Sequence, residues 1–121
     1  MAAGGALGAL TRFGIGEFVR VCTPFEGWTA VLAANAVGTV LLATLAVSVS
    51  LGHWTPASPA VWAFAATGYC GALTTYSAFG LDTVLLWYEG RRALALGQMS
   101  AALVAGLVAV EAILRVWGPP A

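Results

Sequence analysis

Charge is what this 121-residue chain has least of: 8% of its residues are charged, against about 25% in soluble domains. There is no lysine, and five arginines balance five acids. That balance leaves neither the basic face that binds nucleic acid nor a polybasic patch for anionic headgroups. Cysteine is nearly as scarce. Cys22 and Cys70 lie far apart among apolar or small residues and read as packing residues, not as a disulfide or a metal pair. No basic segment precedes the first apolar run, and Arg12 falls inside it, so that run is expected to stay in the protein and not to be cleaved as a signal peptide. No hydrolytic or redox constellation of side chains is visible, so an enzyme is not expected.

What is present is hydrophobicity, at 60% of residues. A bilayer crossing takes about 20 mostly apolar residues in a helix, which gives a chain of this length about four passes and a single domain. The pattern places them at residues 3–20, 28–50, 60–88 and 93–117. The fold class is therefore an all-α membrane protein with four transmembrane helices. The first segment carries five glycines, Arg12 and Glu17 and is a weak span. The second is uncharged, with Asn35 as its one strongly polar residue. Pro56 and Pro59 end it, and Trp54 and Trp62 flank the linker as interfacial aromatics do. The fourth holds Glu111 and Arg115 one helical turn apart, where they can pair.

The third segment is longer than a straight crossing needs, and GYCGALTTYS interrupts its middle. Non-helical backbone at membrane depth survives only where protein or a water-filled cavity satisfies it, so the third helix is expected to be broken mid-membrane. Carbonyls freed by such a break can bind a cation. After the break, Tyr76, Phe79 and Asp82 or Thr83 recur at helical spacing and form one stripe. Aromatic ring edges are electropositive, so Phe79 can face an anion without the formal charge that would trap it. Asn35 shares a face with Gly38 and Thr39, which sets a small-residue groove beside two hydrogen-bonding groups. Arg12, Glu17, Asn35, Asp82 and Glu111 are polar groups at membrane depth and so candidates for function.

GGALGALTRF in the first segment, NAVGT in the second and GYCGALTTYSAFGLD in the third together resemble the Fluc/CrcB family of fluoride channels. The third stretch is similar to that family's signature G-x-x-G-G-x-T-T-F-S-x-F. The resemblance implies a passive fluoride channel in the inner (plasma) membrane. It further implies an antiparallel dimer whose second subunit is the same chain or a homologous partner, with a central structural sodium ion held by backbone carbonyls. Carried over, the sodium carbonyls fall on Gly71 and Thr74. The fluoride pathway falls on Asn35, Thr75, Tyr76, Ser77 and Phe79, and vestibule or supporting roles fall on Arg12, Asp82 and Gln98. Tyr76 stands where the signature has phenylalanine and Ala72 where it has glycine, while Val31, Ala102 and Gly106 replace polar lining.

Two other readings follow from the same features. A small dual-topology drug–proton antiporter would use a membrane glutamate in the first helix, and Glu17 is the residue available. A non-conducting partner subunit of a heterodimeric channel would keep the polar residues only to hold helices together.

Overall fold

The computed structural model describes residues 1–24 and 26–117, and among them there is helix and no strand. Helix α1 is Ala2–Cys22 and α2 is Gly27–Ser50. The third pass is composite: α3, Pro59–Trp62, runs into a π-helical stretch, Ala63–Cys70, then a single turn α4, Gly71–Leu73, and after two extended residues α5, Tyr76–Tyr88. Helix α6, Arg92–Trp117, completes four passes. Pro59 sits in the first turn of α3, where its missing N–H costs nothing. Gly90 at φ 79 supplies the left-handed residue that turns α5 into α6.

The packing is inverted relative to a water-soluble bundle. The buried positions are mostly small, among them Ala34, Gly38, Ala66, Gly68, Cys70 and Ala95, with Leu73 and Leu86 as the largest apolar ones. Large apolar side chains point outward instead, including Leu10, Phe13, Leu103, Leu107 and Val108, each at least 60% exposed. Helices pack through small residues when the surroundings are as apolar as leucine. With α2 and α6 long and apolar enough to cross a membrane, this arrangement is that of a membrane protein.

Helix α1 lies on the π-helical stretch through backbone contact. Gly4 and Gly8 stand one turn apart, and a Cβ added to either would collide with the carbonyl oxygen of Phe64 or of Tyr69. A hydrogen bond of 3.1 Å between the Thr11 and Tyr69 hydroxyls closes the same seam. Gly5, by contrast, faces open space. Gly8→Ala is therefore expected to lower stability by about 1–3 kcal/mol, because the obstacle is backbone and cannot rotate away. Gly5→Ala is expected to raise it by about 0.5–1 kcal/mol through helix propensity alone. Thermal unfolding of the two variants in detergent checks the opposite signs.

The two loops at one end of the molecule are clamped together. Arg91 donates through both terminal nitrogens to the Glu26 carboxylate, at 2.5 and 2.7 Å, and the Trp28 indole N–H donates to the same group at 3.1 Å. The hydrogen bonds from Arg91 hold the Glu26 carboxyl below its usual range. A lowered acid contributes stability above its unfolded pKa and loses it as pH falls through the folded value. The Glu26 side chain is 53% exposed, so the contribution is small. Glu26→Gln is expected to leave the unfolding temperature nearly unchanged and to flatten its decline below about pH 4.5, the region where a glutamate titrates.

Candidate functional site

The break in the third pass is short. Thr74 (φ −81, ψ 149) and Thr75 (φ −148, ψ 117) are extended, and helix resumes at Tyr76. Two extended residues at membrane depth strand several backbone groups, and the structure shows where they go. The Thr74 N–H donates to the Cys70 carbonyl at 3.0 Å, continuing the α4 ladder. The Thr75 hydroxyl accepts from the Ala78 N–H at 3.3 Å and so caps α5. Thr75's own peptide groups are taken by one side chain from α2. Asn35 Oδ1 accepts from the Thr75 N–H at 2.7 Å, and Asn35 Nδ2 donates to the Thr75 carbonyl at 3.1 Å. The Thr74 carbonyl, turned out of the helix by its extended ψ, has no donor among the described residues.

This pinned turn forms one wall of an open cavity of about 540 Å³. Asn35, Gly38 and Thr39 come to it from α2, Thr74 and Thr75 from the break, and Tyr76 and Phe79 from α5. Gly38 is needed for the approach of α2, because a Cβ there would strike the Thr74 side chain. The N-terminus of α5 opens here, and the first N–H groups of a helix lack intrahelical partners. Phe79 and Tyr76 stand 6.4 Å apart between ring centroids, tilted by 40°. Tyr76 is 87% exposed, so it lines the cavity at its open side. The site is thus a recess with amide, hydroxyl and aromatic groups at the break and aliphatic side chains, Leu42, Ala43, Ala46, Ala102 and Val110, along the rest of its wall, with no ionised side chain among its lining residues.

Residues anticipated together are brought together in part. Asn35, Thr74, Thr75, Tyr76 and Phe79 share the cavity. Ser77 is exposed, and its hydroxyl lies 3.2 Å from that of Thr75 without lining the cavity. Arg12 is half-buried on α1 and away from it. Asp82 opens into a separate cleft of about 180 Å³ with Glu26, Trp28 and Glu89. Gln98 is 1% exposed, and both of its amide atoms lack a partner among the described residues, as does Asp82 Oδ2. Gly71 has ordinary helical geometry, φ −64, and an added Cβ would meet nothing closer than 4.0 Å, so the turn itself does not require glycine there.

Three features were not read from the sequence. One is the π-helical register of Ala63–Cys70. Another is the pairing of Asn35 with the Thr75 peptide, and the third is a second recess of about 350 Å³ between α2 and α6, lined by Ala101, Ala102, Ala105 and Gly106 opposite Ala36 and Thr39. The alanine run on α6 was the available signal for the recess.

The antiporter reading has little geometry behind it. Glu17 lies in a 3.2 Å hydrogen bond with Arg20 three residues on, its side chain 41% exposed, and it lines none of the cavities described above. The Glu111–Arg115 pair forms as the spacing anticipated, at 2.8 Å on the exposed face of α6.

Residues 1–114 match the family model described as CrcB-like protein, Camphor Resistance (CrcB). The chain is 40% identical over 113 residues to a fluoride-specific ion channel FluC of Pseudomonas fluorescens, covering 93% of this chain and 89% of that one. It is 38% identical over 111 residues to the fluoride-specific ion channel FluC 2 of Symbiobacterium thermophilum, covering 91% and 88%. With FluC 2 of Bacillus subtilis it shares 36% over 106 residues, covering 87% and 75%.

Proposed function

The chain belongs to the CrcB-like family, and from that membership and the cavity at the break we propose that it is a passive fluoride-selective channel, not an enzyme, that exports cytoplasmic fluoride. The observation that carries the reading is the recess itself, where peptide, hydroxyl and aromatic-edge groups meet with no ionised side chain. Fluoride holds its water strongly, so a path must offer replacement donors yet bind weakly enough to release. Neutral donors and ring edges meet both needs, whereas an arginine in the recess would trap the ion. Thr75 supplies a hydroxyl and Phe79 and Tyr76 ring edges within the recess, and Ser77 continues the path outside it, its hydroxyl 3.2 Å from that of Thr75. Arg12, Asp82 and Gln98 act outside this recess, in the mouths of the path or behind its wall.

The same reading makes the functional unit an antiparallel dimer in the inner membrane, formed with a second copy or a homologous chain. An open recess and an outward-pointing Tyr76, 87% exposed, support a partner at this face. A structural sodium ion at the dimer centre is part of the proposal. The donor available is a backbone oxygen: the Thr74 carbonyl is turned out of the ladder with no donor among the described residues. Oxygen ligands are what a hard cation takes. Gly71 lies one turn before Thr74 on the exposed side of α4, so two opposed chains would contribute a carbonyl pair each.

Reconstituted into liposomes with a potassium gradient and valinomycin, the protein is expected to release fluoride rapidly and chloride far more slowly. Equal release of the two anions, or of neither, ends the channel assignment. In the same assay Tyr76→Phe is expected to retain flux within about threefold, since a ring edge of the same size remains. Loss of conduction in that variant would make the hydroxyl a ligand.

A further inference from the structure

Resting on the channel reading, we propose that Asn35 is a positioning residue. Its amide oxygen stands in for the axial acceptor that the break takes from the Thr75 N–H, its amide nitrogen adds a second donor to the Thr75 carbonyl, and together they hold the first turn of α5 against the cavity. Both heteroatoms of the Asn35 side chain are committed to the backbone of one residue, Oδ1 to the Thr75 N–H at 2.7 Å and Nδ2 to the Thr75 carbonyl at 3.1 Å. The N–H is the group that the break leaves without an axial acceptor, whereas the carbonyl, at the N-cap of α5, also accepts the first bond of that helix. An amide side chain carries one acceptor and one donor in the same plane, as a peptide does, which is why the pairing can be mutual. Gly38, one turn further along α2, lets α2 approach the break closely enough for that contact. The chain of support continues through the Thr75 hydroxyl to the Ala78 N–H. The Asn35 amide therefore fixes Thr75, and Thr75 fixes the start of the helix that carries Tyr76 and Phe79.

The consequence is chemical. One of the two Nδ2 hydrogens is occupied, so at most one is left for an ion. A positioning role needs a donor and an acceptor at residue 35, whereas a direct fluoride ligand needs the second hydrogen. Asn35→Asp separates the two. A carboxylate accepts from the Thr75 N–H but cannot donate to the Thr75 carbonyl. A protonated carboxyl does both, with the shape of the amide and without a second hydrogen. The Thr75 carbonyl, an acceptor facing the side chain, favours the protonated acid, whose O–H it can take. Tyr76 is the one titratable side chain lining the cavity, and Asp82, the acid on α5, opens into the other cleft.

Fluoride release is therefore measured for wild type and Asn35→Asp at pH 7.5 and 5.5, corrected for leak through protein-free liposomes. The variant is expected to be silent at pH 7.5 and to gain at least tenfold at pH 5.5, while wild type changes less than twofold. A variant that stays silent at pH 5.5 beside an active wild type overturns the proposal, because the missing hydrogen then matters. A silent wild type removes the channel reading instead. Residue-resolved hydrogen exchange on the wild-type protein decides the geometry whatever the variant does: the Thr75 N–H is expected to exchange at least tenfold more slowly than an unpaired amide. Rapid exchange at Thr75 overturns the positioning role.

Discussion

Asn35→Leu is expected to cut fluoride flux by about a hundredfold or more while the protein still inserts and folds. Leucine keeps much of the volume of asparagine but offers neither donor nor acceptor. The Thr75 N–H then loses its partner, and the Thr75 carbonyl, which at the N-cap of α5 keeps the first bond of that helix, loses its second donor. Each buried polar group left unsatisfied costs about 1–3 kcal/mol, and about 1.4 kcal/mol corresponds to a tenfold change in rate or population. The cheapest escape for the backbone is to rotate Thr75 toward helical geometry and regain an axial hydrogen bond. That motion displaces the capping hydroxyl and re-aims Tyr76 and Phe79, so the recess loses its shape together with its amide. Stopped liposome flux with an unchanged elution volume is the expected result. Flux within threefold of wild type would show that the break holds itself and that Asn35 is only interhelical glue.

How far the fold could be read in the sequence depends on the range of the interaction. Apolar run length is local, so the four passes fall where hydropathy places them, with α2 and α6 ending within a residue or so of expectation. The interruption in the third pass is local too, since glycines and paired threonines weaken a helix through their own backbone and side-chain preferences. Its form is not local. The expected break spans ten residues, whereas the extended backbone is confined to Thr74 and Thr75. The difference is made upstream, where Ala63–Cys70 takes a wider helical register against α1 and stays helical. That register depends on Gly4 and Gly8 admitting the carbonyls of Phe64 and Tyr69, contacts across some 60 residues of sequence.

The site shows the same division. Tyr76 and Phe79 are three residues apart and their shared face is legible. Asn35 and Thr75 are forty residues apart, and nothing in either neighbourhood says that the amide is already engaged. Read alone, Asn35 is a pair of free hydrogens; in the fold it is a splint. Gln98 carries a similar lesson. Its place on an apolar helix marks it as unusual, but only the tertiary structure reveals an amide 1% exposed with both atoms lacking a partner among the described residues.

Gly71→Leu is expected to leave each chain folded and to abolish its association with a second one. In a single chain the position makes no demand for glycine: its φ is −64, and an added Cβ has free space to within 4.0 Å of the Ala66 carbonyl. Gly71 is also exposed, on a turn whose neighbours Cys70 and Leu73 are buried. A leucine there therefore projects outward without disturbing α1 or α2. Any large effect must arise from whatever meets that surface. If opposed subunits bring the Gly71 and Thr74 carbonyls together around a cation, the new side chains occupy the space where the two backbones approach, and oxygen atoms cannot close on the ion. Counting fluorophore bleaching steps in dilute liposomes is expected to give two steps for wild type and one for Gly71→Leu, with fluoride release lost in parallel. Thermal unfolding in detergent should show the variant monomer still unfolding cooperatively. Two bleaching steps and intact flux in Gly71→Leu would place the dimer contact, and the carbonyl cage proposed for sodium, somewhere other than this turn.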